Sequence, residues 1–485
     1  MKSPIIYCFK NDLRLLDNPA LQYAVETDRP IFFVYIYDSE TDWAPGAASC
    51  WWLHQSLLSM FKDLADLDAT LYFFTGSAID ILPKLAKEIQ CDQIVYSRTY
   101  EPAALNQDRK LLERLNNKNI DLTISQGNIL FRPGSILNKQ GNTYKVFTPF
   151  YKACREFGIP SLIIEKPKSL LAFNYQGSSL SLDDLKLLPK KPWVNGLKAH
   201  WKPGEKNANQ QLKKFVAGGV FQYSEKRDFP NLDSTSHLSP YLHFGELSPQ
   251  RVIYHLTQIG NEKPTFEIEA EKIIRQLVWR EFACHILVSY PFTTDKPFQA
   301  KFSNFPWKRS NKKLSQAWQQ GKTGYPLIDA GMRELWATGY MHNRVRMIVA
   351  SFLTKNGMLH WKKGALWFWD TLVDADLAQN SMNWQWVAGC GVDAAPYFRI
   401  FNPVTQSKKF DSAGNYIRRW CPELKDLPSK YIHAPWEAPD DILNEANVTL
   451  GLSYPEPILD LKITREEALL KYRDLIMINE TIASL

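Results

Sequence analysis

Short apolar runs alternate with helical stretches over the first 130 residues. The runs at 5–9 (Ile5-Ile6-Tyr7-Cys8-Phe9), 31–36, 69–74 and 93–96 are strand-length and bounded by polar turns such as Lys10-Asn11-Asp12. Between 51 and 67, apolar residues recur at 52, 53, 57, 60, 61 and 64, the period of a helix, and 110–115 repeats this on a smaller scale. Short buried strands alternating with helices predict a doubly wound parallel sheet covered on both faces.

From 131 to about 200 the pattern dissolves. Pro133-Gly134, Pro149, Pro160, Pro167, Gly177-Ser178-Ser179, Pro189 and Pro192 punctuate a stretch with little periodicity. It reads as a connection lying over the surface of both halves. After Trp201, apolar faces of helical period recur at 205–216, 248–259, 267–290, 314–319, 327–338, 342–355 and 364–373, without comparable strand-like alternation. The expected organisation is an α/β domain over 1–132, a linker over 133–200 and an all-α domain over 201–485.

Composition narrows the function. The chain has 485 residues, 45% hydrophobic and 22% charged, which excludes a disordered protein. It holds no run of eighteen apolar residues and no secretory leader, so a soluble cytoplasmic protein is expected. A net charge of +7 is mild for this size, and any affinity for nucleic acid must come from a local patch. The seven cysteines are scattered and never in C-x-x-C spacing, which argues against a disulfide framework or a cysteine-bound metal. Sixteen tryptophans are an excess, thirteen of them from Trp193 onward.

Candidate chemistry follows the same division. The loop after the first strand, 9–14 with 17–21, lies where ligands dock on a doubly wound sheet, yet it reads equally as a capped turn with salt bridges. No G-x-G-x-x-G or G-x-x-x-x-G-K occurs, which disfavours dinucleotide and nucleoside-triphosphate sites there. Residues 233–240 cluster hydroxyls and backbone N–H groups, a phosphate cradle or a run of helix caps. Trp279, Arg280 and Glu281 sit in a long helix, where such a group is usually structural. Asn343, Arg346 and Met347 share one helix face at i, i+3 and i+4, a mixture that a plain amphipathic face would not need. The densest stretch, 374–386, gathers Asp374, Asp376, Asn380, Trp384 and Trp386 with no spacing that suggests a metal triad. Aromatic and amide groups around an Arg/Asp pair suit a large planar cofactor better than hydrolysis.

Taken in order, residues 9–21, 235–239, 279–282, 321–326, 339–347, 374–386 and 393–403 resemble the photolyase/cryptochrome flavoproteins over essentially the whole chain, and most closely the microbial cyclobutane pyrimidine dimer photolyases. The resemblance implies an N-terminal α/β antenna domain and a helical domain that holds a U-shaped FAD and binds UV-damaged DNA on the nucleoid; with no oligomer signal in the sequence, a monomer is expected. Tyr223 and Thr235, Ser236, His237, Leu238 and Ser239 would hold the FAD phosphates and ribitol, with Arg280 also on the phosphates. Asp374 would pair with Arg346 beside the isoalloxazine, Asp376 would meet its pyrimidine edge, and Asn380 would face N5. A neutral amide there tolerates an anionic reduced flavin, whereas the aspartate of plant cryptochromes would repel it. Trp279 and Trp386 would wall the lesion pocket, with Gln276, Asn343 and Met347 on the dimer and Arg227 and Arg344 on nearby phosphates. Of these, Gln276, Trp279 and Asn343 would also border the cofactor. Trp384, Trp361 and Trp307 match the family's electron relay. The implied reaction is blue-light-driven electron transfer from reduced FAD to the dimer, followed by electron return.

Two departures stand out. Gln276 replaces the glutamate usual in dimer photolyases, which predicts retuned repair. Tyr100-Glu101 lacks the Asn-Glu pair by which some relatives hold a folate, while 45–53 is similar to the plant-cryptochrome branch. The antenna is therefore methenyltetrahydrofolate in another geometry, a deazaflavin, or absent. Asn343, where (6-4) photolyases have a second histidine, disfavours (6-4) repair. The competing readings are a blue-light photoreceptor without repair and a flavin-bearing binding protein.

Overall fold

A strand whose residues are all apolar has to be covered on both faces, which places it in the middle of a parallel sheet. Ile5–Phe9 (β1), fully buried, is that central strand. The computed structural model describes residues 2–116, 118–161, 163–189, 193–262 and 266–483; Pro192, one of the linker prolines, lies outside them. β2 (Ile31–Tyr37), β3 (Leu71–Thr75), β4 (Gln93–Ser97) and β5 (Asp121–Ser125) complete a parallel sheet of order β3-β2-β1-β4-β5. Ile5 aligns with Ile31 on one side and Gln93 on the other. The strand order reverses at β1, so the loop that follows it opens onto the crevice where such sheets receive partners.

The four expected strands form, and the fifth is additional. β5 is a half-exposed edge whose sequence, Asp-Leu-Thr-Ile-Ser, carries no apolar run to betray it. Helices Ala47–Ala65 and Pro102–Asn116 begin earlier than their periodic cores suggest. Helix Pro19–Glu26 starts with the Asn18 side chain accepting from the Leu21 N–H at 3.2 Å and with proline in its first turn.

The linker corrects the expectation. It contains helix Phe147–Phe157, whose Phe147, Phe150, Tyr151 and Cys154 are buried at helical spacing, so it is neither aperiodic nor wholly superficial. This helix packs on Glu267–Ser289, and the Phe147 N–H donates to Asp393 at 3.1 Å. Further on, Ala172 and Leu180 bridge to Ile31 and Phe73 of the sheet. The connection therefore binds the helical half first and then returns to the sheet.

The helical half contains Glu205–Ala217, Pro249–Glu262, Glu267–Ser289, Lys312–Gln320, Pro326–Thr338, Trp361–Thr371, Leu377–Ala388 and Leu461–Ala483. The stretch expected as one helix over 342–355 divides into Asn343–Ser351 and a π-helical turn, Phe352–Asn356. No helix of the described residues is long and apolar enough to cross a membrane.

One core spans both halves, and three glutamates bridge their polar gaps. Glu205 accepts from the Leu15 and Leu16 N–H groups at 2.9 and 2.8 Å. Glu281 accepts from those of Leu130 and Phe131 at 2.8 and 3.1 Å. Glu246 accepts from Trp52 Nε1 at 3.1 Å and Ser56 Oγ at 2.6 Å. Burial pushes Glu246 up to about 8 and Glu281 up to about 7, against the pull of these hydrogen bonds. The folded protein thus keeps protons that the unfolded chain releases near 4.5. Their stabilising effect is full below that value and is lost as pH rises through 7 to 8. Urea unfolding midpoints should fall between about pH 5 and 8.5. Glu246→Gln, which keeps a neutral hydrogen-bonding group, should flatten that decline; an unchanged slope in the variant would remove Glu246 as its source.

Candidate active site

The helix Leu377–Ala388 begins where Asp376 accepts from the Gln379 N–H at 2.9 Å. From that cap, helical spacing places Asn380, Asn383, Trp384 and Val387 on one face. That face closes a cavity of about 320 Å³ against helices Glu267–Ser289, Asn343–Ser351 and Trp361–Thr371. Ten residues singled out from the sequence line it: Gln276, Trp279, Asn343, Arg346, Met347, Asp374, Asp376, Asn380, Trp384 and Trp386. Residues 276 to 386 are brought to one place by four helices and the turn 372–376 that joins the last two.

The polar groups are held in fixed orientations. Arg346 Nη2 reaches both oxygens of Asp374, at 3.1 and 2.9 Å, and Ser239 Oγ donates to the same carboxylate at 2.7 Å. Burial acts against the charge on Arg346, but the Asp374 carboxylate more than reverses this. Burial likewise acts to raise Asp376, but His243, 3.6 Å away, together with Arg280 and the Gln379 N–H, holds it below the usual carboxylate range. Asn380 Nδ2 donates to the Ala365 carbonyl at 2.9 Å, which leaves Oδ1 free to face inward. Gln276 Oε1 accepts from Arg227 Nη2 at 3.3 Å, which directs its amide N–H groups away from Arg227. Trp279 lies flat on Phe147, with centroids 3.6 Å apart and planes 7° apart. The linker helix thus backs one face of the cavity wall.

Other expected residues lie outside this cavity. Thr235 and His237 line a second, open cavity of about 1020 Å³ with Trp201, Tyr340 and Trp420. The Ser236 carbonyl accepts from Gln211 at 2.9 Å, and Leu238 is core. Tyr223 is buried beneath the Arg227 guanidinium, 5.1 Å from its ring. Arg280 lines a third cavity, between the two halves, and donates to Glu281 at 3.3 Å. Arg344 pairs with Asp228 at 2.8 Å and lies over Phe410. Trp361 is buried, and His360 stands between it and Trp307, with centroids 5.4 and 5.5 Å away. Trp384 packs on Phe368 at 4.9 Å and Trp318 at 6.2 Å.

Several lining residues escaped the sequence reading. Gln379 and Asn383 sit beside Asp376 and Asn380 at helical spacing, a signal that was present but unused. Phe368, Leu372 and Met382 look like ordinary core positions, and nothing local marks them out.

A doubly wound sheet joined to a helical bundle, with an uncharged amide, an Arg/Asp pair and three indoles lining one cavity, suits a large planar cofactor. Comparison with known proteins gives the family. Residues 5–168 match the family described as DNA photolyase, and 273–474 match the FAD binding domain of DNA photolyase. The chain is 44% identical to the deoxyribodipyrimidine photo-lyase of Agrobacterium fabrum, covering 97% of this chain and 98% of that one. It is 36% identical to cryptochrome-2 of Arabidopsis thaliana, covering 96% and 78%. The crystal structure of a class III photolyase from Agrobacterium tumefaciens superposes with a TM-score of 0.94 at 42% identity, covering 98% of each chain. The chain belongs to the photolyase/cryptochrome family. It is an enzyme of the photo-lyase class with an FAD-binding helical region. The lining fits that cofactor: apolar side chains for a flat ring system, and polar groups converging at its rim.

Gly364 makes room for the Trp384 indole. A Cβ at this position would come within 2.0 Å of the ring. Gly364→Ala should therefore cost about 1–3 kcal/mol of stability by overpacking and displace Trp384, measured as a lower melting temperature and weaker retention of FAD. A variant as stable and as flavin-loaded as wild type would show that the indole does not need this position.

Proposed function

We propose that the protein repairs cyclobutane pyrimidine dimers in DNA under blue light, acting as a cytoplasmic monomer. When bound in its reduced form, FAD supplies the light-driven electron that splits the dimer and takes it back. The observation that carries this reading is Asn380. Its amide is fixed by the Ala365 carbonyl, bears no charge, and lines a cavity that Trp279, Trp386, Asn343 and Met347 also line. A carboxylate in its place would repel an electron-rich ring; this amide accepts a hydrogen bond instead.

Each remaining residue has a positioning task. Trp279, backed by Phe147, and Trp386 present flat apolar surfaces to the two joined, extruded bases of one strand and exclude water. Arg227 and Arg344 contribute salt-sensitive phosphate contacts, and their shared neighbour Asp228 holds them in place. Asp374 and Arg346 neutralise each other, so the pair adds hydrogen-bonding capacity without net charge. We assign Tyr223, Thr235 to Ser239 and Arg280 to the cofactor's phosphate and ribitol side, with Ser239 joining that segment to Asp374. Trp384, Trp361 and Trp307 carry electrons inward from the surface, with the His360 ring between the outer two. The recess at Tyr100 and Glu101 encloses only about 70 Å³. Since pockets for such ligands begin near about 300 Å³, we place a folate or deazaflavin antenna elsewhere.

Gln276 turns this reading into a pH prediction. Its carbonyl is engaged by Arg227 and one amide N–H by the Lys272 carbonyl, which leaves the other N–H for the lesion at every pH. Repair of irradiated oligothymidine by pre-reduced, anaerobic protein should occur in blue light and not in darkness, with a rate nearly flat between about pH 6 and 9. Gln276→Glu should introduce a decline of at least about threefold toward high pH as the acid loses its proton. A fully reduced, FAD-loaded protein that repairs nothing would leave the photoreceptor reading, which the likeness to a plant cryptochrome favours.

A further inference from the structure

His360 sits between the two outer tryptophans of the relay. Its ring meets Trp361 on one side, with centroids 5.4 Å and planes 31° apart, and Trp307 on the other at 5.5 Å. Among the described residues it is the aromatic ring that meets both indoles. Backbone contacts hold the three rings together. Lys308 bridges to Leu359 and its N–H donates to the Met358 carbonyl at 2.9 Å, which ties the residue after Trp307 to those just before His360. Met358 takes a left-handed φ of 51° at this point, a conformation rare for so long a side chain. A π-helical turn, Phe352–Asn356, leads into it. Phe305 packs on Trp307 from another direction, at 4.5 Å.

The imidazole is fixed in one tautomer and kept uncharged. His360 caps the helix Trp361–Thr371, with Nδ1 accepting from the Lys362 N–H at 3.1 Å. The neutral ring therefore carries its proton on Nε2. Burial, with Lys362 and Lys363 beside it, holds the group below its ordinary value of 6.5. The charged groups packed around these lysines come from three other segments. Lys308 pairs with Glu467 at 2.9 Å, Asp295 pairs with Lys362, and the Arg309 carbonyl accepts from Lys363 at 2.8 Å. An imidazole is harder to oxidise than an indole, so this ring can join two tryptophans without holding the charge itself.

We propose that His360 is the bridge for the outer step of the relay, a positioning residue whose uncharged ring couples Trp307 to Trp361. This rests on the relay assignment above. An electron drawn inward from Trp384 is replaced from Trp361, and that of Trp361 is replaced from Trp307 across the packed imidazole. Trp307, half-buried, is left one electron short and regains it from an external dithiol. Two such passages turn one dithiol into its disulfide and release two protons to solvent. Without a ring at position 360, water or a smaller group would separate the indoles. The electron would cross that gap more slowly, and the charge on Trp361 would be cancelled from within before it reached Trp307. A protonated ring would oppose positive charge on either neighbour.

The test uses the full-length protein with oxidised FAD bound, flashed with blue light. It follows how much of the lost oxidised-flavin absorbance outlives the flash, from about pH 5 to about pH 8. In wild type this lasting signal should be full at the alkaline end and fall at least about threefold once His360 is protonated, the effect of a unit charge at this ring spacing. His360→Asn keeps a side chain that caps the helix but removes the ring; it should lose most of the lasting signal at every pH. His360→Phe keeps a ring that cannot take a charge; it should match wild type at the alkaline end and show no fall in acid. An Asn variant that keeps the wild-type signal, or an FAD-loaded Phe variant as poor as the Asn one, would overturn the bridge alone. Trp307→Phe should also lose the lasting signal; if it does not, the relay assignment falls and the bridge with it.

Discussion

Glu205, Glu246 and Glu281 each reach from the helical half into the α/β half and take hydrogen bonds from groups that burial would otherwise leave unpaired. A buried N–H without a partner costs about 1–3 kcal/mol, so separating the halves would strand several at once. The cofactor site depends on this union less directly than it depends on its own helices, but its surroundings do not. Glu281 shares a helix with Gln276 and Trp279, and Glu246 anchors the turn that follows His243. Docking the halves therefore sets the positions of the helix that forms one wall of the cavity and of the histidine that faces Asp376.

The site itself balances charge inside a low-dielectric space. Its single ion pair cancels internally, its other carboxylate is offset by a histidine and an arginine, and the remaining polar contacts are amides. That arrangement leaves the interior nearly neutral, so an added negative charge meets no unbalanced anion. The flat aromatic surfaces of Trp279 and Trp386 in the same lining are of the kind that gains from contact with any unstacked base and reads little of its sequence.

Much of this was legible in the sequence, for reasons that can be given residue by residue. β1 and β2 are apolar because both faces are largely covered, β3 and β4 keep an apolar centre, and the helices of the second half repeat every 3.6 residues because one face of each meets the core. That ten of the expected residues share one cavity was legible through the family's motif order more than through any local rule: Asn380 alone carries no signature, and it stood out only with Asp374, Asp376, Trp384 and Trp386 around it. What stayed hidden is equally specific. β5 is an edge strand, and an edge needs no apolar run. Phe147 sits two residues before Pro149 in a stretch whose prolines and glycines suggested loop, yet Pro149 falls in the first turn of a helix, where its missing N–H is harmless. The interdomain cavity combines Glu101 with His243, 142 positions apart, a juxtaposition only the docked halves create.

The stack of Phe147 on Trp279 changes what a domain boundary means in this chain. By sequence the linker belongs to neither half, but residues from Thr143, whose hydroxyl meets Ser289 at 2.7 Å, through Phe157 are structurally part of the helical half. The stretch from Ala172 to Leu180 belongs to the sheet. A chimaera that exchanged α/β halves between relatives at the apparent junction near residue 132 would separate the helical half from the helix that backs its own tryptophan. The modules that can be exchanged are interleaved: the unit that carries the site includes a segment threaded between two stretches of its neighbour.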